Sequence, residues 1–289
     1  MDRSGHGAPH GGARHRGSRV RFTRRGRFVF GGLASLALLL VAFLPGRGAF
    51  SSTGTFGLGE DTSSTVRVVA FGDSVPAGYA CDCQAFPPMY ADLIHRTSGR
   101  QTVWTNYAVS GLVADGVLAQ LQQPAVADSV RRAGVVLVMV GANDFVAPFQ
   151  QLGNNPKPTT QFAATGANLK STMVSVIGRV RQLAGPKVRV VVLGYWNVLE
   201  DGKAAAHDYT SVQRAATLAA TKVANNALWA AATSGGATYV PTVQLFRGAG
   251  DNRDPSALLA ADGDHPNVAG HRAIAQALAA AVPIEPSAG

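Results

Sequence analysis

Acidic side chains are almost missing from the first fifty residues, where Asp2 alone faces nine arginines. This segment accounts for most of the formal net charge of +9; the rest of the chain holds 17 basic and 16 acidic side chains. A body so close to neutral lacks the basic face that nucleic-acid phosphates require, which excludes a nucleic-acid partner. Cysteine is scarce as well, with only Cys81 and Cys83 in 289 residues. That is too few for a disulfide scaffold, and a zinc site would need further cysteines or a histidine nearby in sequence. The pair itself stays open between an i,i+2 disulfide, near the Cα distance limit for such bridges, and two free thiols. Internal repeats are missing too. A hydrophobic content of 46% is nonetheless ample for a buried core.

Long apolar runs are also rare, and the longest sits near the N-terminus. Residues 1–27 form a basic tail rich in Gly, Arg and His, and residues 28–44 are an uncharged apolar run closed by Pro45. A basic flank before an apolar run is the layout of a signal peptide or signal anchor. The run is at the short limit for crossing a bilayer, and the residues after it offer no clean A-x-A cleavage site. Arg24-Arg25 reads either as a loose twin-arginine signal or as ordinary positive-inside charge. Both readings predict an extracytoplasmic body, secreted or held at the membrane through residues 28–44 if these are not cleaved. Residues 45–64 read as a flexible linker, 65–284 as the folded domain and 285–289 as a short tail.

Within the domain, apolar strands alternate with helical patterns. Strands are predicted at Val66–Phe71, Thr102–Ala108, Gly134–Val140, Val188–Leu193 and Ala237–Pro241, the middle ones apolar without alternation. Helices are predicted at Phe86–Arg96, Val113–Gln122, Ala125–Ala133, Thr160–Leu183, Ser211–Thr233 and Pro266–Val282. Such alternation implies βαβ units and a parallel sheet buried on both faces. The expected fold is α/β: a three-layer α/β/α sandwich on a five-stranded parallel sheet, flavodoxin-like in order. Ligands of such sheets bind beyond the carboxyl ends of the strands, where the polar residues of this sequence gather.

The first strand stops on Gly72-Asp73-Ser74. A serine becomes a nucleophile when a histidine takes its proton and an acid orients that histidine. Of seven histidines, His6, His10 and His15 lie in the tail, His95 and His207 read as surface residues, and His271 falls inside the final helix. Only His265 follows an acid at a workable offset, in the turn Asp262-Gly-Asp-His265. Gly111 after the second strand and Asn143 after the third, with the N–H of Ser74, can donate hydrogen bonds to an oxyanion. The G-x-S-x-G elbow of ordinary α/β-hydrolases is absent, because Pro76 holds the place of its second glycine.

Phe71-Gly-Asp-Ser74, Gly111, Gly141-Ala-Asn-Asp144 and Asp262-x-x-His265, in this order, resemble the SGNH/GDSL hydrolase family over nearly all of residues 66–284. The resemblance implies the flavodoxin-like three-layer fold and cleavage of esters without metal or organic cofactor. It assigns Ser74 as nucleophile, His265 as base and Asp262 as its orienting acid, with Ser74, Gly111 and Asn143 as the oxyanion hole. One departure is His271, which stands where the family often has an aromatic residue. The implied partner is a small-molecule, lipid or carbohydrate ester. An acyltransferase or polysaccharide O-deacetylase would use the same residues, and a non-catalytic surface module is the reading of another class. Tyr195 and Trp196, with the loop 145–159, are expected to wall the substrate pocket.

Overall fold

The computed structural model describes residues 65–152 and 158–286. The basic tail, the apolar run, the whole linker and the last residues of the C-terminal tail lie outside them. Among the described residues no helix is long and apolar enough to cross a membrane.

Five strands, β1 (Val66–Gly72), β2 (Thr102–Asn106), β3 (Val135–Met139), β4 (Arg189–Leu193) and β5 (Thr238–Val240), form one sheet. Their order is β2-β1-β3-β4-β5 and every pairing is parallel. This is the flavodoxin order expected above. The chain reverses its direction of travel between β1 and β3, so their carboxyl ends open a crevice at the switch point. All five residues of β3 are buried, and β1 and β4 expose little beyond Arg67 and Arg189. Burial on both faces explains why these strands read as unbroken apolar runs.

Two helices, α2 (Phe86–Ser98) and α10 (Val268–Ala281), pack together on one face of the sheet. The other face carries α3 (Ala114–Gln120), α4 (Pro124–Arg131), α6 (Pro158–Ala184) and α8 (Ser211–Ser234). Pro87 and Pro88 suit the first turn of α2, where no intrahelical N–H is needed. Thr210 and Gln213 close a reciprocal capping box at the head of α8. Leu169, Met173, Val176, Ile177 and Val180 recur at helical spacing and bury one face of α6. The long helices match the predicted ones to within a few residues. The last begins at Val268 rather than Pro266, because Asn267 caps it and Pro266 pairs with Leu259 in an isolated bridge.

Four short helices were not expected: α1 (Ser74–Ala77), α5 (Val146–Leu152), α7 (Gly202–Asp208) and α9 (Val243–Arg247). The presumed loop 145–159 is thus helical over Val146–Leu152, its residues 153–157 lie outside the described ones, and α6 already begins at Pro158. His207, read as a surface residue, sits on α7 and is exposed.

Candidate active site

The nucleophile turn is built by a close approach of two strands. At Gly72 the backbone takes φ +151°, and an added Cβ would lie 2.0 Å from the Met139 carbonyl oxygen. Only glycine fits there. The next residue, Asp73, donates its N–H to the same carbonyl at 3.1 Å and accepts from the Val75 N–H at 3.1 Å through its side chain. Asp73 thereby caps α1, whose first residue is Ser74. Strand end, cap and serine follow without a spare residue, which holds the hydroxyl at the mouth of the sheet.

The turn before α10 supplies the other half. His265 Nε2 lies 2.8 Å from Ser74 Oγ, and Nδ1 lies 2.8 Å from an Asp262 carboxylate oxygen. The second Asp262 oxygen accepts from the backbone N–H groups of Asp264 and His265, each at 3.1 Å. Gly263 makes the bend at φ +69°, where a Cβ would strike Ala204 and the Asp201 carbonyl. Its carbonyl accepts from the Asp201 N–H at 2.8 Å, and the half-buried Arg247 guanidinium holds both Asp201 oxygens at 2.7 Å. The acid–base turn is therefore pinned to α7 and α9 rather than free in solvent.

Electrostatics follow from these contacts. Burial would push the His265 imidazole down, yet its hydrogen bond to Asp262 and the charges of Asp264, Asp262 and Asp73 together raise it above the usual histidine value. Burial would raise Asp262, but its bonds from the His265 ring and from the backbone of His265 and Asp264 outweigh that and hold it low. Asp264 stands off, 4.0 Å from Nε2.

The loops after β2 and β3 meet on the other side of Ser74. Tyr107 and Val109 donate backbone hydrogen bonds to Ala70 and Gly72 of β1, which brings the segment carrying Gly111 beside the nucleophile strand. Gly111 is exposed and left-handed, with φ +81° and open space where a side chain would stand. Asn143 opens a 3₁₀ turn and donates one Nδ2 hydrogen to the Leu112 carbonyl at 3.0 Å, leaving its second hydrogen for another acceptor. Asp144 accepts from the Ala114 N–H at 3.1 Å and ties the same two loops together. The structure thus brings Ser74, His265 and Asp262 into direct contact, and joins the Gly111 and Asn143 loops to each other.

Two expected pocket residues lie elsewhere. Tyr195 and Trp196 are each 1% exposed, and the cavity that Trp196 borders is lined by α8 residues such as Leu218, Lys222 and Asn225 rather than by the serine turn. Tyr195 donates its hydroxyl to the Asp73 carboxylate from beneath, and its backbone is clamped at N–H and carbonyl by the Asn225 side chain of α8. Trp196 stacks on Phe246, ring centroids 4.0 Å apart. Sequence reasoning also passed over Asp73, whose carboxyl is pushed up to about 7 chiefly by burial. Tyr79 was missed as well; its exposed ring meets the His265 ring edge-on at 4.8 Å. An aromatic a few residues past the serine was the available signal.

Cys81 and Cys83 are joined in a disulfide, with Cα atoms 5.1 Å apart. The expectation that no histidine is near them needs correction. Their sulfurs and a His271 nitrogen lie within 4.8 Å of one another. The fold supplies from α10 what the sequence does not place nearby.

Comparison with known proteins agrees with this fold. The chain is similar in fold to a lipase from a goat rumen metagenome (17% identity, TM-score 0.60, 75% of this chain and 97% of that one). It is likewise similar to a phospholipase A1 from Streptomyces albidoflavus (22%, TM-score 0.56, 75% and 99%). A variant of an acetylxylan esterase from Geobacillus stearothermophilus aligns at 16% identity with a TM-score of 0.55, over 76% and 95% of the two chains. No curated protein sequence matches. The family profile of GDSL-like lipases and acylhydrolases matches residues 70–273, more than half of the sequence. The chain therefore belongs to the GDSL-like lipase/acylhydrolase family, whose members hydrolyse esters.

Proposed function

We propose that this protein hydrolyses carboxylic esters through an acyl-enzyme on Ser74, in a domain that faces away from the cytoplasm. The observation that carries the mechanism is the unbroken relay from Ser74 Oγ through His265 to Asp262, with both links at 2.8 Å. Ser74 Oγ attacks the ester carbonyl while His265 Nε2 takes its proton. Asp262 keeps the other nitrogen protonated and stabilises the imidazolium that forms. Negative charge developing on the carbonyl oxygen meets the N–H of Ser74, the N–H of Gly111 and the second Nδ2 hydrogen of Asn143. Collapse expels the alcohol, which takes the proton from Nε2. A water then repeats the sequence and frees the acid. The exposed Val109 and Val113, on either side of Gly111, favour an apolar group next to the oxyanion site.

Export is supported by the arginine-rich head, the apolar residues 28–44 and the disulfide, since structural disulfides are characteristic of oxidising compartments. Fractionation of expressing cells checks it; a soluble cytosolic protein with an intact N-terminus would contradict it.

The mechanism is tested on p-nitrophenyl esters of increasing chain length. Ser74→Ala should retain the parent's melting temperature and lose turnover by about a thousandfold or more. A fluorophosphonate should label Ser74 and no other serine. Ordinary turnover by the folded variant would end the proposal.

A further inference from the structure

His271 is a fully buried imidazole, 0% exposed, lying inside α10. Neither of its ring nitrogens has a hydrogen-bond partner among the described residues. Buried polar atoms are nearly always partnered, and an orphaned one costs free energy. Packing alone does not explain the residue, because the ring next to it is Phe86, stacked at 6.3 Å, and a second aromatic hydrocarbon would serve that contact. What distinguishes an imidazole here is its lone pair, and the sulfurs of Cys81 and Cys83 lie within 4.8 Å of a ring nitrogen.

The three potential donor atoms lie within 4.8 Å of one another. Tetrahedral zinc with bonds of about 2.0–2.3 Å sets its donors roughly 3.3–3.8 Å apart, so the spacing is within a small adjustment of a ligand set. While bonded to each other the sulfurs are poor ligands, because the metal ligand is the thiolate. The half-buried Cys81 and Cys83 lie towards the surface and His271 lies behind them, so a cation can enter from the sulfur side. We infer that reduction of the Cys81–Cys83 disulfide converts this corner into a binding site for one zinc ion, held by the two thiolates and His271.

The chemistry balances with a phosphine as reductant. Phosphorus gives two electrons to the S–S bond and takes the oxygen of one water, whose two protons go to the sulfurs. Zinc then displaces both thiol protons, and water fills the fourth position. The site would sit between two elements of the active centre. Cys81 and Cys83 follow Tyr79, which touches the His265 ring, and His271 stands on the helix that His265 precedes. A bound cation would clamp the nucleophile segment to α10, as the disulfide alone does not.

The test measures zinc binding to the full-length protein against a chromophoric chelator, in the disulfide form and after phosphine reduction. Histidines elsewhere, including those of the tail, contribute equally to both forms. The reduced protein should take up one more zinc per chain than the oxidised protein. Cobalt(II) in place of zinc should give thiolate-to-metal charge transfer and the intense d–d bands of a tetrahedral site. His271→Phe, which keeps an aromatic ring, should weaken the added site at least tenfold. Cys83→Ser, at a half-buried position that spares the core, should do the same. Equal zinc uptake by the two redox forms overturns the inference, as does parent-like affinity in either folded variant.

Discussion

The rim of the candidate active site and the layer beneath it treat charge in opposite ways. At the rim, Asp262 and His265 face each other at 2.8 Å; the acid is held low and the imidazole raised, so the pair favours its ionised form. Beneath it, Asp73 has a neutral phenol for a partner and is pushed up to about 7, while the unpartnered His271 is driven down to about 4. All four groups are desolvated to some degree, and desolvation is the largest single influence on each. The sign of the outcome differs because only the rim supplies an opposite charge within hydrogen-bond range. Burial alone neutralises a group. Burial beside a partner keeps a base and its acid poised for proton transfer.

The contrast breaks most completely at Asp262. Asp262→Asn leaves the ring without a carboxylate on Nδ1 and makes His265 resemble a buried, unsupported histidine. Turnover should fall by about a thousandfold or more. The base must be neutral to act, so kcat/KM rises with pH through the His265 pKa, which lies above 6.5 in the parent. Loss of the acid should move that ascending limb to lower pH while lowering its height. Asp264→Asn, removing a charge 4.0 Å from Nε2, should shift the limb in the same direction with far less loss of rate. The reverse order of damage would reassign the orienting acid.

A smaller effect is expected across the site, where donors rather than charges act. Asn143→Ala should lower kcat on short esters about a hundredfold with KM little changed, because the amide meets charge that develops only in the transition state. Steady-state kinetics reads this directly. Parent-like kcat in a folded variant would remove Asn143 from the oxyanion hole and leave it the simpler task of tying its loop to the Leu112 carbonyl.

The rim was legible in the sequence and the layer beneath it was not. Ser74, Asn143 and His265 each sit within a few residues of a strand end or helix start, and the order of those elements sets them at one sheet edge. Asp262 could be picked out because it acts on a neighbour in the same turn. Tyr195 follows β4 in the same manner and for that reason read as a pocket wall. Its burial depends on Asn225, which reaches its backbone from α8, a pairing across thirty residues that no local pattern encodes. His271 and the cysteines likewise meet only through the packing of α10. The strands and long helices were readable because unbroken apolar runs and 3.6-residue spacing extend over many residues. Helices α1, α5, α7 and α9 are too short to show a period.

The smallest effect tests the lower layer, through Tyr195→Phe. This change removes the hydroxyl that donates to the Asp73 carboxylate and keeps the ring that fills the core, so cavity formation contributes little. Asp73 is pushed up to about 7 in the fold from an ordinary 3.8. The folded protein thus holds a proton that the unfolded chain gives up at lower pH. Stability contributed by this group is greatest below about 4, falls as pH rises towards 7 and is level above that. The Tyr195 bond opposes the fall, because it favours the ionised carboxylate. Losing it should cost roughly 1–3 kcal/mol above pH 7, where Asp73 is charged, and less near pH 5, where it is protonated. Melting curves of parent and variant at pH 5 and pH 8 therefore give a difference in Tm that widens on the alkaline side. A gap of equal size at both pH values would mean that Asp73 stays protonated throughout, or that Tyr195 merely fills space beneath it.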